Sequence, residues 1–402
     1  MGKAKALLTD LFVQEIIDIR RDFHRHPELS GEEYETSKKV QSYLQEAGIE
    51  FRSGFAKTGV LGIIKGAKRG GVVAVRADMD ALPIQEQNNL PYKSKVSGKM
   101  HACGHDAHTA MLIGVGRLLQ EMKEEIHGTV LLVFQPAEEN APIGGSKPMM
   151  EDGVFNDIAP DCIFGLHVWP DLPVGKIGVR AHEIMGASDR FKITIQGSGG
   201  HASMPHQTID AVIVASQLIN QLQTIVSRNV DPLDSAVITV GKITGGDRYN
   251  VIAEKVVLEG TIRTFKNEVK SLVKSRFYNI VEGTAKIHGA NVEIDYFDGY
   301  PATMNTPKWA DVVKKAADNA LGNDATPEVN PSLGGEDFAR FLEKYEGAFF
   351  WLGSKMEEGI QKPLHDSQFI LNEDCIAVGM EVMTTTVLEA LTNFAKVKEG
   401  AK

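Results

Sequence analysis

Apolar residues at Leu11, Phe12, Ile16, Ile17 and Ile19 recur at helical spacing over residues 8–24, and His26-Pro27 follows. This predicts an amphipathic helix that stops where proline restricts its predecessor. A second helix is expected over 34–47, with Gly48 placed to end it. A third begins near Asp106, because Ala110, Met111, Ile113, Gly114, Leu118 and Met122 keep the same period. Residues 72–75, 129–134 and 163–166 are apolar without alternation, the pattern of strands buried on both faces. Each run leads into charged or metal-capable side chains: Arg76-Ala77-Asp78-Met79-Asp80, Gln135-Pro136-Ala137-Glu138-Glu139 and His167-Val168-Trp169-Pro170. Helices lying between such strands predict an α/β fold with a mixed, largely parallel sheet, which gathers ligands at the carboxyl ends of its strands.

The middle of the chain has a different rhythm. Phe191, Ile193 and Ile195 alternate with polar residues, 208–226 is helical, 236–243 and 256–263 are strand-like, 267–287 is helical, and 292–296 alternates again. The order βαββαβ predicts an inserted ferredoxin-like domain. Afterwards the first pattern resumes, with helices over 307–320 and 336–345, a strand over 348–352 and a closing helix over 373–394. The expected division is therefore 1–186, 187–297 and 298–402, with the outer two segments forming one domain.

Composition narrows the partners. Lys plus Arg number 43 against 53 Asp plus Glu, a net charge of -10 with no basic tract, which argues against nucleic acid. Cys103, Cys162 and Cys375 are odd in number and scattered, so a disulfide framework is not expected and a reducing compartment fits. The first ten residues hold no apolar core of a leader, and no later run has the length of a membrane span. A cytoplasmic protein without a membrane partner is the expectation.

The densest chemistry lies at Met100-His101-Ala102-Cys103-Gly104-His105-Asp106-Ala107-His108, at the entry of the third helix. A helix N-terminus favours the thiolate of Cys103, and Gly104 lets the loop bend so that Cys103 and His105 point the same way. With Glu139, His167 and His365 of the later segments, these side chains form a donor set of thiolate, imidazole and carboxylate that suits zinc or a related divalent ion. Five donors exceed the needs of one open tetrahedral site, so two metals sharing a ligand is the economical reading. Adjacent Glu138 and Glu139 point to opposite sides of an extended strand. A bend at Pro136 leaves one carboxylate to bind metal and the other to face water as a general base.

Seven motifs then stand in order: Arg-Ala-Asp-Met-Asp-Ala-Leu-Pro over 76–83, His-Ala-Cys-Gly-His-Asp-Ala-His over 101–108, Gln-Pro-Ala-Glu-Glu over 135–139, Gly-Leu-His over 165–167, Gly-Gly-His-Ala-Ser-Met-Pro-His over 199–206, Gly-Gly-Glu-Asp-Phe over 334–338 and Leu-His over 364–365. Together they resemble the M20 metallopeptidases. Within these the chain is similar to the amidohydrolase branch of hippurate hydrolases, N-acyl-amino-acid amidohydrolases and indoleacetyl-amino-acid hydrolases. The resemblance implies a zinc-exopeptidase-like catalytic domain, with the insertion serving as lid and dimerisation domain. It implies Cys103, His105, Glu139, His167 and His365 as ligands of two divalent ions, zinc first, with manganese, cobalt or nickel as alternatives, and Glu138 as general base and acid. It carries His201 to the oxyanion, from its own or the partner subunit. Asn250, Arg263 and Glu336 are carried to the substrate. A homodimer through the lid, or a higher homo-oligomer, follows on the same ground. Many members of the family place a ligand His where Arg76 stands. Here one site must draw on Cys103 and His105 instead, and which ligand bridges stays open.

The remaining residues have plainer expectations. Asp78 and Asp80 should lie behind the ligands and orient His105 or another by hydrogen bonds. His24 and His26 read as a solvated helix end. His101, His108 and His206 read as supporting or loop residues, and Cys162 and Cys375 as packing residues. Arg263 is either a substrate clamp or a structural ion pair. The expected reaction is hydrolysis of the amide bond of an N-acyl-L-amino acid or short peptide, of the aminoacylase or hippurate hydrolase type. A dipeptidase or carboxypeptidase, a cysteine hydrolase using Cys103, and a metal-binding protein without turnover are the alternatives.

Overall fold

The computed structural model describes the backbone of residues 2–400 and the side chains of residues 5–395. Contacts divide the chain into two compact units. The first comprises Met1–Ile184, Thr303–Asn330 and Asp337–Lys402, and the second Met185–Ala302 and Pro331–Glu336.

The first unit is built on a seven-stranded sheet in the order Glu50–Phe55, Gly59–Lys65, His127–Gln135, Lys68–Asp78, Cys162–Pro173, Gly347–Lys355, Ile177–Gly178. Its four central strands are mutually parallel, and both margins are antiparallel. The three apolar runs occupy the centre, where Val73, Val75, Val130, Leu132 and Phe164 are all buried. Helices Asp10–Arg25, His105–Glu121, Pro307–Leu321 and Cys375–Gly400 contribute Ile16, Met111, Val313 and Met380 to the same core. At Gly114 the helix His105–Glu121 approaches the closing helix so nearly that a Cβ would lie 2.2 Å from the sulfur of Met380. The closing helix departs from expectation: its Cys375–Ala395 stretch has the length and mean hydropathy, 1.4, of a membrane span. Of that window 72% is buried within the protein, so its apolarity is that of a core helix.

The hairpin Glu50–Phe55 and Gly59–Lys65 shows no alternation, because its first strand is exposed at the sheet margin and its second is buried on both faces. The helix expected over 336–345 shrinks to Ala339–Leu342, because Asp337 is committed to partners far away in sequence.

The second unit carries the order βαββαβ. Strands Ala187–Gln196, Ala236–Gly245, Lys255–Thr264 and Asn291–Tyr300 form an antiparallel sheet with Ala236–Gly245 at one edge, accompanied by helices Ala211–Asn229 and Asn267–His288. Asp210 caps the first helix through the N–H groups of Val212 and Ile213, which moves its start from the expected 208 to Ala211. Phe191, Ile193, Leu218, Leu222 and Phe277 fill its own core.

Candidate metal centre and active site

The parallel strands of the first unit end side by side, Asp78 opposite Gln135 and Arg76 opposite Gly165. Their continuations carry the candidate donors to one place. Gly104 has φ +89 and caps the helix that starts at His105; a Cβ there would lie 2.4 Å from Val168 Cγ2, so only glycine admits this loop. His365, at φ +68, is tied to the same loop by its N–H, which donates to the Ala102 carbonyl at 2.8 Å. Ala137, at φ +57, turns the chain after Pro136, and Glu138 and Glu139 follow it.

Cys103 Sγ lies 3.3 Å from His167 Nε2 and 3.3 Å from His365 Nε2, which is itself 3.0 Å from Glu139 Oε1. Ligand atoms lie within 4.8 Å of one another in three overlapping trios: Cys103, His105 and His167; Cys103, Glu139 and His365; His105, Glu138 and Glu139. All six expected residues of the first unit thus share one cluster.

Hydrogen bonds fix the tautomers. His167 Nδ1 is 2.7 Å from the Val168 carbonyl, and His105 Nδ1 is 2.9 Å from the Asp80 carbonyl. A carbonyl only accepts, so both rings carry a proton on Nδ1 and turn Nε2 toward the cluster. His105 Nε2 is buried and finds no hydrogen-bond partner among the described residues. His108 differs. Its Nε2 accepts the Val168 N–H at 2.9 Å and its Nδ1 donates to Asp78 Oδ1 at 2.6 Å. Both nitrogens are used, so His108 supports Asp78 rather than offering a donor, as expected. Asp80 takes the orienting role toward His105.

Arg76 explains the departure from the family pattern. Its buried guanidinium donates to Asp78 Oδ2, Asp337 Oδ1 and Gln135 Oε1, each at 2.8 Å. Asp337 Oδ2 also accepts the N–H groups of Gly145 and Ser146, and the Asp337 N–H reaches Glu138 Oε1 at 3.4 Å. Asp337 therefore fastens the loop that bears the two glutamates. In sequence Asp337 stands only within the Gly-Gly-Glu-Asp-Phe motif, and no local pattern distinguishes it from Glu336.

The electrostatics of the cluster call for a cation. Burial alone would depress His105, but Asp78, Asp80 and Glu139 outweigh it and draw the ring up to about 10. Burial holds His167 well below its ordinary value, assisted by His108 and His105, so this ring stays neutral. Cys103 corrects the expectation of a thiolate. Burial, with Glu139, Glu138 and Asp78 behind it, pushes the thiol well up, and these carboxylates outweigh the nearby helix N-terminus. A thiol so placed is a poor free nucleophile and becomes a thiolate only beside added positive charge, which removes the support for a cysteine hydrolase. Clustered imidazoles, a buried thiol and surplus carboxylate, whose charge draws His105 upward, fit divalent ions.

The second unit holds the other candidates. His201 is exposed in the short strand Gly200–His201, which pairs Val251, and Ser203 N–H donates to its Nδ1 at 3.1 Å. That bond leaves the proton on Nε2 as an outward donor. Asn250 is adjacent, its carbonyl accepting Ala202 N–H at 3.2 Å, and its buried Oδ1 has no partner among the described residues. Arg263 lies half-buried on the strand Lys255–Thr264, opposite Ser188 and Val237. Burial lowers its pKa despite Asp189, and no ion pair forms at its guanidinium among the described residues, so the structural ion-pair reading is not met. Glu336 is buried at the end of Pro331–Glu336.

Among the remaining side chains, His24 overturns its expectation. It is buried, with Nδ1 2.7 Å from Asp106 Oδ2 and Nε2 3.4 Å from Glu86 Oε1, and Arg20 Nε lies 2.8 Å from the same Asp106 oxygen. His26 is exposed, as expected, and Cys103, Cys162 and Cys375 are buried and unpaired.

Comparison with known proteins places these features. Residues 74–389 match the profile of Peptidase family M20/M25/M40. An N-acetylcysteine deacetylase of Bacillus subtilis is 43% identical over 384 residues, covering 94% of this chain and 98% of that protein. Thermostable carboxypeptidase 1 of Saccharolobus solfataricus is 43% identical over 367 residues, covering 90% and 92%. A crystal structure from Bacillus subtilis, described as a dinuclear metal-binding peptidase of the M20 family, superposes with a TM-score of 0.83 at 39% identity, covering 96% of this chain and 99% of that one.

Proposed function

The chain belongs to the peptidase family M20/M25/M40 as a metal-dependent amidohydrolase, and on that premise we propose that it cleaves the amide bond of N-acyl-L-amino acids with Glu138 as general base and acid. The observation that carries this reading is the left-handed turn at Ala137 (φ +57), after which Glu138 and Glu139 both have a carboxylate oxygen within 4.8 Å of a His105 nitrogen. One carboxylate can bind metal while its neighbour handles protons, a division that storage of a metal does not require.

In this reading Cys103, His105, Glu139, His167 and His365 hold a pair of divalent ions, with zinc the first choice for a set of thiolate, imidazole and carboxylate. When bound, such ions supply Lewis acidity and bring water ionisation down toward roughly pH 7. Glu138 accepts the proton of the attacking water and returns it to the departing amine. His201 Nε2–H is assigned to the oxyanion, and Asn250, Arg263 and Glu336 to the substrate. The guanidinium of Arg263 can clamp a carboxylate with two parallel hydrogen bonds, which is why a free carboxylate is expected on the substrate. The relative named for N-acetylcysteine supports the acyl-amino-acid class, and the carboxypeptidase relative keeps short peptides as the second reading.

The test is a panel of N-acetyl and N-benzoyl amino acids and dipeptides, assayed after chelation and after restoring zinc, manganese, cobalt or nickel one at a time. Chelator-sensitive release of the amino acid from acyl substrates is expected. Faster cleavage of dipeptides moves the assignment to a dipeptidase or carboxypeptidase, and hydrolysis that survives chelation refutes the mechanism.

Assembly as a homodimer through the inserted unit is proposed on its edge strand Ala236–Gly245, which exposes Val237 and Ile243, and on Val212 and Ile213, exposed on helix Ala211–Asn229. Sedimentation should give the mass of two chains. Mixing chains bearing His201→Ala with chains bearing Glu138→Gln should restore turnover if His201 serves its partner's site, and leave it absent if it serves its own.

A further inference from the structure

We infer that Glu33, which precedes the helix Tyr34–Glu46, is a positioning residue for Glu138. The inference rests on the reading of Glu138 as the base. Glu33 is fully buried. Its Oε1 accepts the N–H of Gly31 at 2.7 Å and the N–H of Ala137 at 2.9 Å, and its Oε2 accepts the hydroxyl of Thr58 at 2.8 Å.

Ala137 is the residue whose left-handed backbone redirects the chain into Glu138, a conformation disfavoured for any residue with a Cβ. An acceptor aimed at its N–H holds the peptide plane in that orientation. On the far side of Glu138, the N–H of Glu139 donates to Asp80 Oδ2 at 2.9 Å. The N–H groups of the residues on either side of the base therefore each end on a buried carboxylate supplied by another part of the chain. Asp80 also orients His105, so its removal disturbs the ligand cage. Glu33 makes no hydrogen bond to a proposed ligand, and its hydrogen bond to the site runs through Ala137. Burial and the neighbouring Asp80 draw Glu33 up to about 7, so ionising it within the fold is costly.

The chemistry of the three donors makes the inference testable. In Glu33→Gln the side-chain carbonyl can keep the N–H groups of Gly31 and Ala137, while the Thr58 hydroxyl turns to accept from the new amide. Glu33→Ala removes the acceptor. Each variant is to be prepared as the metal-loaded full chain and compared for kcat, KM, bound metal by elemental analysis and melting temperature. For Glu33→Ala, kcat should fall about 100-fold, the scale of a small misplacement of a catalytic group, with KM and metal content as in the wild type. Glu33→Gln should stay within about threefold of wild type in kcat. Where Glu33→Ala does not fold, Glu33→Met fills the same space without an acceptor and carries the same expectation.

Unchanged kcat in Glu33→Ala or Glu33→Met overturns the inference, as does a fall in kcat that tracks loss of metal. A Glu33→Gln variant as slow as Glu33→Ala also overturns it, since charge rather than the held turn would then be the cause. Glu138→Gln is the control. Turnover retained there sinks the base assignment and the role of Glu33 with it, whereas an inactive Glu138→Gln beside a fully active Glu33→Ala sinks the role of Glu33 alone.

Discussion

The candidate site residues of the two units differ in how many protein partners hold them. In the first unit nearly every group around the candidate metal centre has its orientation set by others: Arg76 by Asp78, Gln135 and Asp337, His108 by Asp78 and Val168, His105 by Asp80. In the second, His201 is exposed, and among the described residues Asn250 keeps a buried oxygen without a partner and half-buried Arg263 forms no ion pair. Ligands and a general base must be fixed before the substrate arrives, because misplacement lowers the rate. On the proposed assignment, the groups of the second unit would have their partner supplied by the substrate.

This contrast makes the first unit the place where single changes hurt most. Glu138→Gln should lower kcat by about 10²–10⁴-fold, the usual contribution of a general base, while elemental analysis still finds wild-type metal; unaltered kcat removes the assigned base. Arg76→Met leaves Asp78 and Asp337 buried without their cation and should cost about 3–5 kcal/mol of unfolding free energy in urea. A loss below about 1 kcal/mol would mean that the network is not what holds the strand ends.

Recognition in the second unit should be affected less severely. Arg263→Lys retains charge but loses the paired geometry, and kcat/KM for an acyl amino acid should fall about 10–100-fold, mostly through KM. Equal kcat/KM for the free carboxylate and its amide in the wild type would argue against the clamp. Back in the first unit, His108→Ala frees Asp78 on one side and should weaken metal binding about 10–100-fold in competition with a chelator, and unchanged affinity would confine His108 to packing.

The smallest expected effect is on stability against pH. Glu33 is drawn from its ordinary 4.5 up to about 7 by burial and by Asp80, so between these values the folded chain holds a proton that the unfolded chain has released. Its contribution to stability is complete below pH 4.5 and is lost as the pH rises through about 7. The unfolding free energy of the wild type, less that of Glu33→Gln, should shrink across this window. A flat difference would mean that Glu33 titrates alike in both states.

Local patterns determined much of this protein. Unbroken apolar runs marked the central parallel strands, the change to alternation after residue 187 marked the βαββαβ unit, and the strand endings carried His167, Glu138 and Glu139 because parallel sheets collect polar groups there. Cys103, Gly104 and His105 were legible because their geometry is set within three residues, by a glycine with left-handed backbone at a helix start. Tertiary structure alone decided what depends on burial and on partners distant in sequence. It put Asp337 against Arg76 across 261 positions and Cys103 against His365 across 262. It buried His24 where a solvated helix end was expected, and it raised the thiol of Cys103 where a helix terminus alone would have lowered it. The free energy of a charge depends on every dipole and carboxylate within several ångströms and on the water removed from around it. Periodicity records which face of an element is buried, but not which charges the fold will bring to meet there.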